Sequence, residues 1–163
     1  MDDYSVLGFL AAFWLVSVAV VLVYYVFVSL GLYRMAKSSD LENPWLAWLP
    51  FGNTYIMGAI VKEMDFIGQH ITNLGIIYLV SPFIVAIASA ILSLIPILGW
   101  LASFALSILL LVFSIMVLYK MFKCFVGEKA VLYTILTIII PFGAPVCFMK
   151  AGSNPRLNDS TLS

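Results

Sequence analysis

The chain has 163 residues, 64% of them hydrophobic and only 10% charged, with a mean hydropathy of +1.13. Eight basic and eight acidic side chains give a formal net charge of zero. That is too few charges to cover a water-soluble domain, where about a quarter of residues are charged, and it leaves no basic surplus to neutralise nucleic-acid phosphates. Two cysteines, Cys124 and Cys147, cannot make a disulfide framework. With one histidine and no CxxC pair, neither a metal site nor another cofactor is expected.

The charges are also confined. Stretches 4–33, 43–61, 66–119 and 130–149 contain no Asp, Glu, Lys or Arg, and a bilayer span needs about 20 apolar residues. The pattern predicts an all-α integral membrane protein, a single polytopic domain over 1–151 followed by a polar, flexible tail over 152–163.

In chain order, the first span covers 6–33, about 42 Å of helix that must tilt or reach into the headgroups. The N-terminus Met1-Asp2-Asp3 is acidic where a signal peptide would be basic, so this helix is expected to remain as an anchor. Arg34 and Lys37 close it. Segment 44–61 is unlike a plain span. Pro50 and Gly52 break it, Asn53 and Thr54 can turn the chain, and Trp45 and Trp48 suit the membrane interface. After Lys62, Glu63, Met64 and Asp65 the long charge-free stretch fits two helices, 71–96 and 99–119, broken near Pro96 and Gly99. Ala86 with Ala90, Ser89 with Ser93, and Ser103, Ser107 and Ser114 recur at helical spacing, as small residues do where membrane helices pack closely. Segment 130–149 is broken again, at Pro141 and Gly143.

A short pattern occurs twice. Leu32-Tyr33-Arg34-Met35-Ala36-Lys37 precedes Pro50-Phe51-Gly52, and Leu118-Tyr119-Lys120-Met121-Phe122-Lys123 precedes Pro141-Phe142-Gly143. This suggests a duplicated unit of one helix and one Pro-broken segment, a device common in transporter folds.

Charge distribution separates two topologies. If all five apolar segments span, the eight basic residues divide evenly between the two sides. If 44–61 and 130–149 are re-entrant and return to the side they entered from, all eight lie on one side, which the positive-inside tendency marks as cytoplasmic. The expected architecture is therefore three full transmembrane helices plus two Pro-broken, re-entrant segments, with five transmembrane helices as the alternative. The N-terminus is then outside and the C-terminus cytoplasmic. Asn158-Asp159-Ser160 matches a glycosylation acceptor but would face the cytoplasm, unused.

Few residues suggest chemistry. On a helix, Glu63, Ile67 and His70 would share a face where an acid can orient a base; a solvated interfacial loop is the plainer reading. No predicted span carries a charge, which argues against proton- or ion-coupled pumping. Asn53, Thr54 and Tyr55, beside Pro50 and Gly52, are the most site-like polar groups, because a broken helix exposes backbone to an ion or headgroup. Together with Trp45 and Trp48 they are the expected ligand or lipid contacts; the plainer role of Asn53 and Thr54 is to satisfy the turn. Lys120, Lys123, Lys129, Arg34 and Lys37 form a basic collar suited to anionic headgroups.

Ala36-Lys37 followed by Asn43-Pro44-Trp45-Leu46-Ala47-Trp48-Leu49-Pro50-Phe51-Gly52-Asn53-Thr54-Tyr55 resembles a segment of small, uncharacterised multi-pass membrane proteins of bacteria, W-x-A-x-[IL]-P-x-x-N-x-Y. The specific match covers about 25 residues; Ile95-Pro96 and Ile140-Pro141-Phe142 agree with the apolar-Pro segments that follow in that group. The resemblance implies a bacterial inner-membrane location and brings no activity or catalytic residues.

The leading expectation is a non-enzymatic polytopic membrane protein, either an accessory subunit or a lipid- or peptide-binding protein of the immunity type. An oligomeric transporter or channel built on the broken segments is the alternative, and an interfacial lipid enzyme using Glu63, Asp65 and His70 the weakest. Expected partners are the lipid bilayer and a membrane protein or second copy, and not nucleic acid.

Overall fold

A computed structural model describes residues 3–95, 98–140 and 143–157. Asp2, Pro96, Pro141 and the Asn158-Asp159-Ser160 motif lie outside the described residues. The described residues are 81% helical. Among them, three stretches are long and apolar enough to cross a membrane, Val6–Ser38, Leu74–Leu92 and Gly99–Ile139.

Helix α1 runs Asp3–Ser38, about 54 Å at 1.5 Å per residue. It passes the expected end at Tyr33 because nothing in Arg34–Ser38 breaks a helix, and Lys37 in the last turn suits the carbonyl end of the dipole. A 3-10 turn, Pro44–Trp48, is followed by Leu49 in extended conformation and then by α2, Pro50–Val61. Pro50 opens α2 where a missing N–H costs no intrahelical bond. The expected break at Pro50 and Gly52 is therefore the junction of two short helical pieces.

Strands β1, Met64–Phe66, and β2, Gln69–Ile71, pair antiparallel with Asp65 opposite His70. The turn residues Ile67 and Gly68 have φ of 49° and 74°, the positive values a tight hairpin turn requires. Glu63, Ile67 and His70 thus share no helical face; the segment is a hairpin, closer to the plainer reading of an interfacial loop. Helices α3, Leu74–Leu92, and α4, Leu98–Val126, follow; a 3-10 turn at Gly127–Lys129 leads into α5, Ala130–Ile139, and then α6, Gly143–Ala151.

Burial is concentrated at one end of the long helices. Leu32, Met35 and Ala36 of α1, Ile56 and Ile60 of α2, Met121 and Phe122 of α4, and Phe148 of α6 form the core. At the other end Trp14 is 70% exposed, Leu94 80% and Trp100 72%. In water such a surface would drive association; facing acyl chains it is the expected exterior of membrane helices.

The two broken segments fill the space between the long helices. α6 packs on α1, and α2 packs on both α3 and α4. The α1–α6 crossing depends on glycine: a methyl on Gly31 would come 2.6 Å from the Phe148 carbonyl carbon, and one on Gly152 2.6 Å from the Gly31 oxygen. Along α3, Phe51 near the start of α2 meets Phe83, with ring centroids 5.6 Å apart, while Gly58 near its end lies against the Leu74 carbonyl. These two contacts run α2 antiparallel to α3.

The second broken segment starts and finishes beside the C-terminal end of α4. Tyr133 of α5 sits edge-on to Phe122 at 5.7 Å. After α6 the Leu157 amide donates to the Cys124 carbonyl at 2.8 Å, and the Asn154 side chain donates to the Phe125 carbonyl at 3.3 Å. Over 152–157 the tail is therefore tied back to α4.

Candidate functional site

Between α1 and α4 lies a cleft of about 570 Å³. Four further elements of its boundary come from distant parts of the sequence. Tyr24 and Val28 form the α1 wall, and Ser107, Leu111, Ser114 and Leu118 the α4 wall. Met57 of α2, Tyr78 of α3, Thr137 and Ile138 of α5, and Ala144 and Phe148 of α6 complete it. Phe148 is a core residue, and Met57 and Leu118 pack against that core. The cleft is thus closed towards the basic ends of α1 and α4 and open towards their exposed apolar halves.

Its serine and threonine hydroxyls are internally satisfied. Ser107 donates to the Ser103 carbonyl at 2.9 Å, Ser114 to Leu110 at 2.8 Å and Thr137 to Tyr133 at 2.8 Å. Each bond returns to the carbonyl four residues back, so the proton is used within its own helix. The serines expected to pack helices divide into two roles: Ser103 approaches the Ser89 carbonyl of α3 at 3.5 Å, whereas Ser107 and Ser114 line the cleft.

The residues expected to form a site at the first break do not converge. Asn53, Thr54 and Tyr55 are consecutive on α2 and diverge by about 100° per residue. The Asn53 Oδ1 is buried without a hydrogen-bond partner, and no side chain caps α2. Tyr55 faces α3, between an apolar recess of about 400 Å³ beside Leu46, Pro50 and Leu79 and a polar one of about 250 Å³ beside Lys62, Glu63 and Asn73. Trp45 and Trp48 are exposed on the 3-10 turn. The Trp45 indole donates to Asn43 Oδ1 at 3.3 Å, and the Tyr25 hydroxyl donates to the Trp48 carbonyl at 2.6 Å. Gly52, Gly99 and Gly143 each sit against the carbonyl of the piece before them, at Leu46, Leu92 and Leu136. They serve as tight elbows.

The hairpin does bring the expected acids to His70. Its Nδ1 lies 2.7 Å from Asp65 Oδ1 and its Nε2 3.3 Å from Glu63 Oε2. The hydrogen bond to Asp65 chiefly raises the imidazole pKa above its ordinary 6.5, helped by the charges of Asp65 and Glu63. Both ring nitrogens face a carboxylate, an arrangement suited to holding the hairpin closed. Below the hairpin, Phe66 stands on Phe113 at 5.0 Å and Tyr78 on the same ring at 5.8 Å.

The signal for the cleft in the sequence was partial. Ser107 and Ser114 stand out on one face of α4, but Tyr24, Met57 and Phe148 carry no local mark of a shared site. Comparison with protein-family models, curated proteins and solved structures yields no match to this chain.

Proposed function

We propose that this is a non-enzymatic integral membrane protein of the accessory or lipid- and peptide-binding kind. It crosses a bacterial cell membrane three times with its N-terminus outside, and both broken segments re-enter from the cytoplasmic face. The observation that carries this reading is the return of the chain from α5 and α6 to the end of α4, where Leu157 bonds Cys124. Irregular backbone at membrane depth needs cover from surrounding protein, and Gly52 at the first elbow is buried. The same reading accounts for the repeated motif. Met35 and Ala36 in the first copy and Met121 and Phe122 in the second are all buried.

Transport is the weaker alternative, since the serine and threonine hydroxyls lining the cleft are tied to their own helices and offer no free donors to a passing polar solute. Enzymatic use of His70 is weaker still, because both its nitrogens already face carboxylates.

Impermeant thiol labelling tests the topology. Ile67 is 72% exposed at the hairpin tip. With Ile67→Cys and, separately, Ser153→Cys in intact cells and inverted vesicles, both are expected to label only from the cytoplasmic side. Labelling of Ile67→Cys from outside would establish five spans. Native mass spectrometry of gently extracted protein then separates the roles, a stoichiometric protein partner marking a subunit and retained lipid a lipid binder.

A further inference from the structure

We infer that the cleft between α1 and α4 is a binding site for one acyl chain of a membrane lipid. The inference rests on the membrane reading above and names the ligand class for it. Three measures agree on hydrocarbon of that size. A methylene takes up about as much room as a water molecule, ~30 Å³, so the cleft of about 570 Å³ suits a single chain of sixteen to eighteen carbons. A helix about 10 Å wide with a 5.4 Å pitch fills ~420 Å³ per turn, so a partner helix could seat little more than one turn. The α4 wall from Ser107 to Leu118 is about 16 Å long, close to one leaflet's share of a ~30 Å hydrocarbon core.

Chemistry points the same way. Ser107, Ser114 and Thr137 donate within their own helices, so an apolar occupant leaves none of these three donors unpaired and a polar one gains none of them. The closed end at Phe148 and Leu118 and the open end towards the apolar halves of the helices set the direction. The chain lies along α4 with its terminal methyl against Phe148.

The test uses the full-length protein in vesicles of three parts phosphatidylethanolamine to one part phosphatidylglycerol. A trace of phosphatidylcholine carries a diazirine near the end of a sixteen-carbon chain. After photolysis, peptide mapping is expected to place the adduct on the cleft faces of α4 and α5, around Ser114 and Thr137. It should be in clear excess over open lipid-facing positions such as Val21 and Leu101. Ser107→Trp and Leu111→Trp, both at exposed positions where folding is undisturbed, should each lower cleft labelling about tenfold, whereas Val16→Trp on the exposed half of α1 leaves it unchanged.

Uniform labelling of all lipid-facing positions would overturn the inference, as would cleft labelling that survives both tryptophans. A co-purified protein helix cross-linked at Ser107 in place of lipid would overturn it too. The thiol-labelling pattern of the hairpin reads the topology separately. Loss of the acyl-chain site with cytoplasmic Ile67 removes only this inference; external Ile67 with cleft labelling intact removes only the re-entrant reading.

Discussion

His70 shows how one side chain can make a small β-hairpin conditional. Two three-residue strands are marginal alone, and the turn holds Ile67, a β-branched residue, at a φ of 49°, which is costly. Against this, a protonated imidazole can donate to Asp65 and Glu63 together. A neutral one can donate to only one of them and turns a lone pair towards the other. Because the folded-state pKa is raised above 6.5, the clamp's contribution is fully present below 6.5 and is lost as pH rises through the folded value. Hairpin amides, corrected for intrinsic exchange, should therefore exchange faster at alkaline pH than at pH 6. Asp65→Asn should lower the His70 titration midpoint seen by NMR and shift the onset of fast exchange with it. A wild-type midpoint at or below the ordinary value would remove the clamp. Exposure keeps the effect local, so global stability should hardly respond to salt or pH through this group.

Among the elements, the elbows decide where helices stop. Gly52 is the sharpest case, since a methyl there would overlap the Leu46 carbonyl. Gly52→Ala should force the 3-10 turn away from α2, weaken the Tyr25–Trp48 hydrogen bond and cost about 2 kcal/mol through overpacking. The thermal midpoint in detergent should fall. Gly8→Ala is the control: nothing lies within 4 Å of the added methyl, and alanine suits a helix interior better than glycine. Equal midpoints for the two variants would show that the elbow is not rigid.

Elements of this kind were the legible part of the sequence. Long charge-free runs expose the three long helices, and Pro50 with Gly52 marks a break because both act within a few residues. The hairpin was hidden for the opposite reason: strands of three residues give no alternation to read, and an isoleucine at positive φ carries no turn signal. The cleft was hidden because its lining comes from six helices, from Tyr24 to Phe148, so only the Ser107 and Ser114 face was visible. Contiguity misled in the same way at Asn53, Thr54 and Tyr55, which are adjacent in sequence and divergent on α2.

At the scale of the whole molecule, the two halves of the chain hold each other. The short helix α6 from the second half lies on α1, and α2 from the first half lies on α4. Neither half can bury its own core residues alone: Met35 and Ile56 need Met121, Phe122 and Phe148 to complete one cluster. The connection between α3 and α4 contributes only the short stretch between Leu92 and Leu98. Covalent continuity there should accordingly be dispensable. If residues 1–95 and 96–163 are co-expressed as separate polypeptides with a tag on one, the untagged half should co-purify in mild detergent.

Gly31 supplies the control that makes this result specific. Membrane helices associate through close packing without hydrophobic help from water, and Gly31→Leu would push α1 off the Phe148 backbone. Losing about 1.4 kcal/mol of association corresponds to tenfold weaker binding, so recovery of the untagged half should fall by roughly that factor. The same substitution in the intact chain should lower stability without releasing anything. Halves that purify separately, or that pair equally well with leucine at position 31, would show that the α1–α6 crossing does not hold the molecule together.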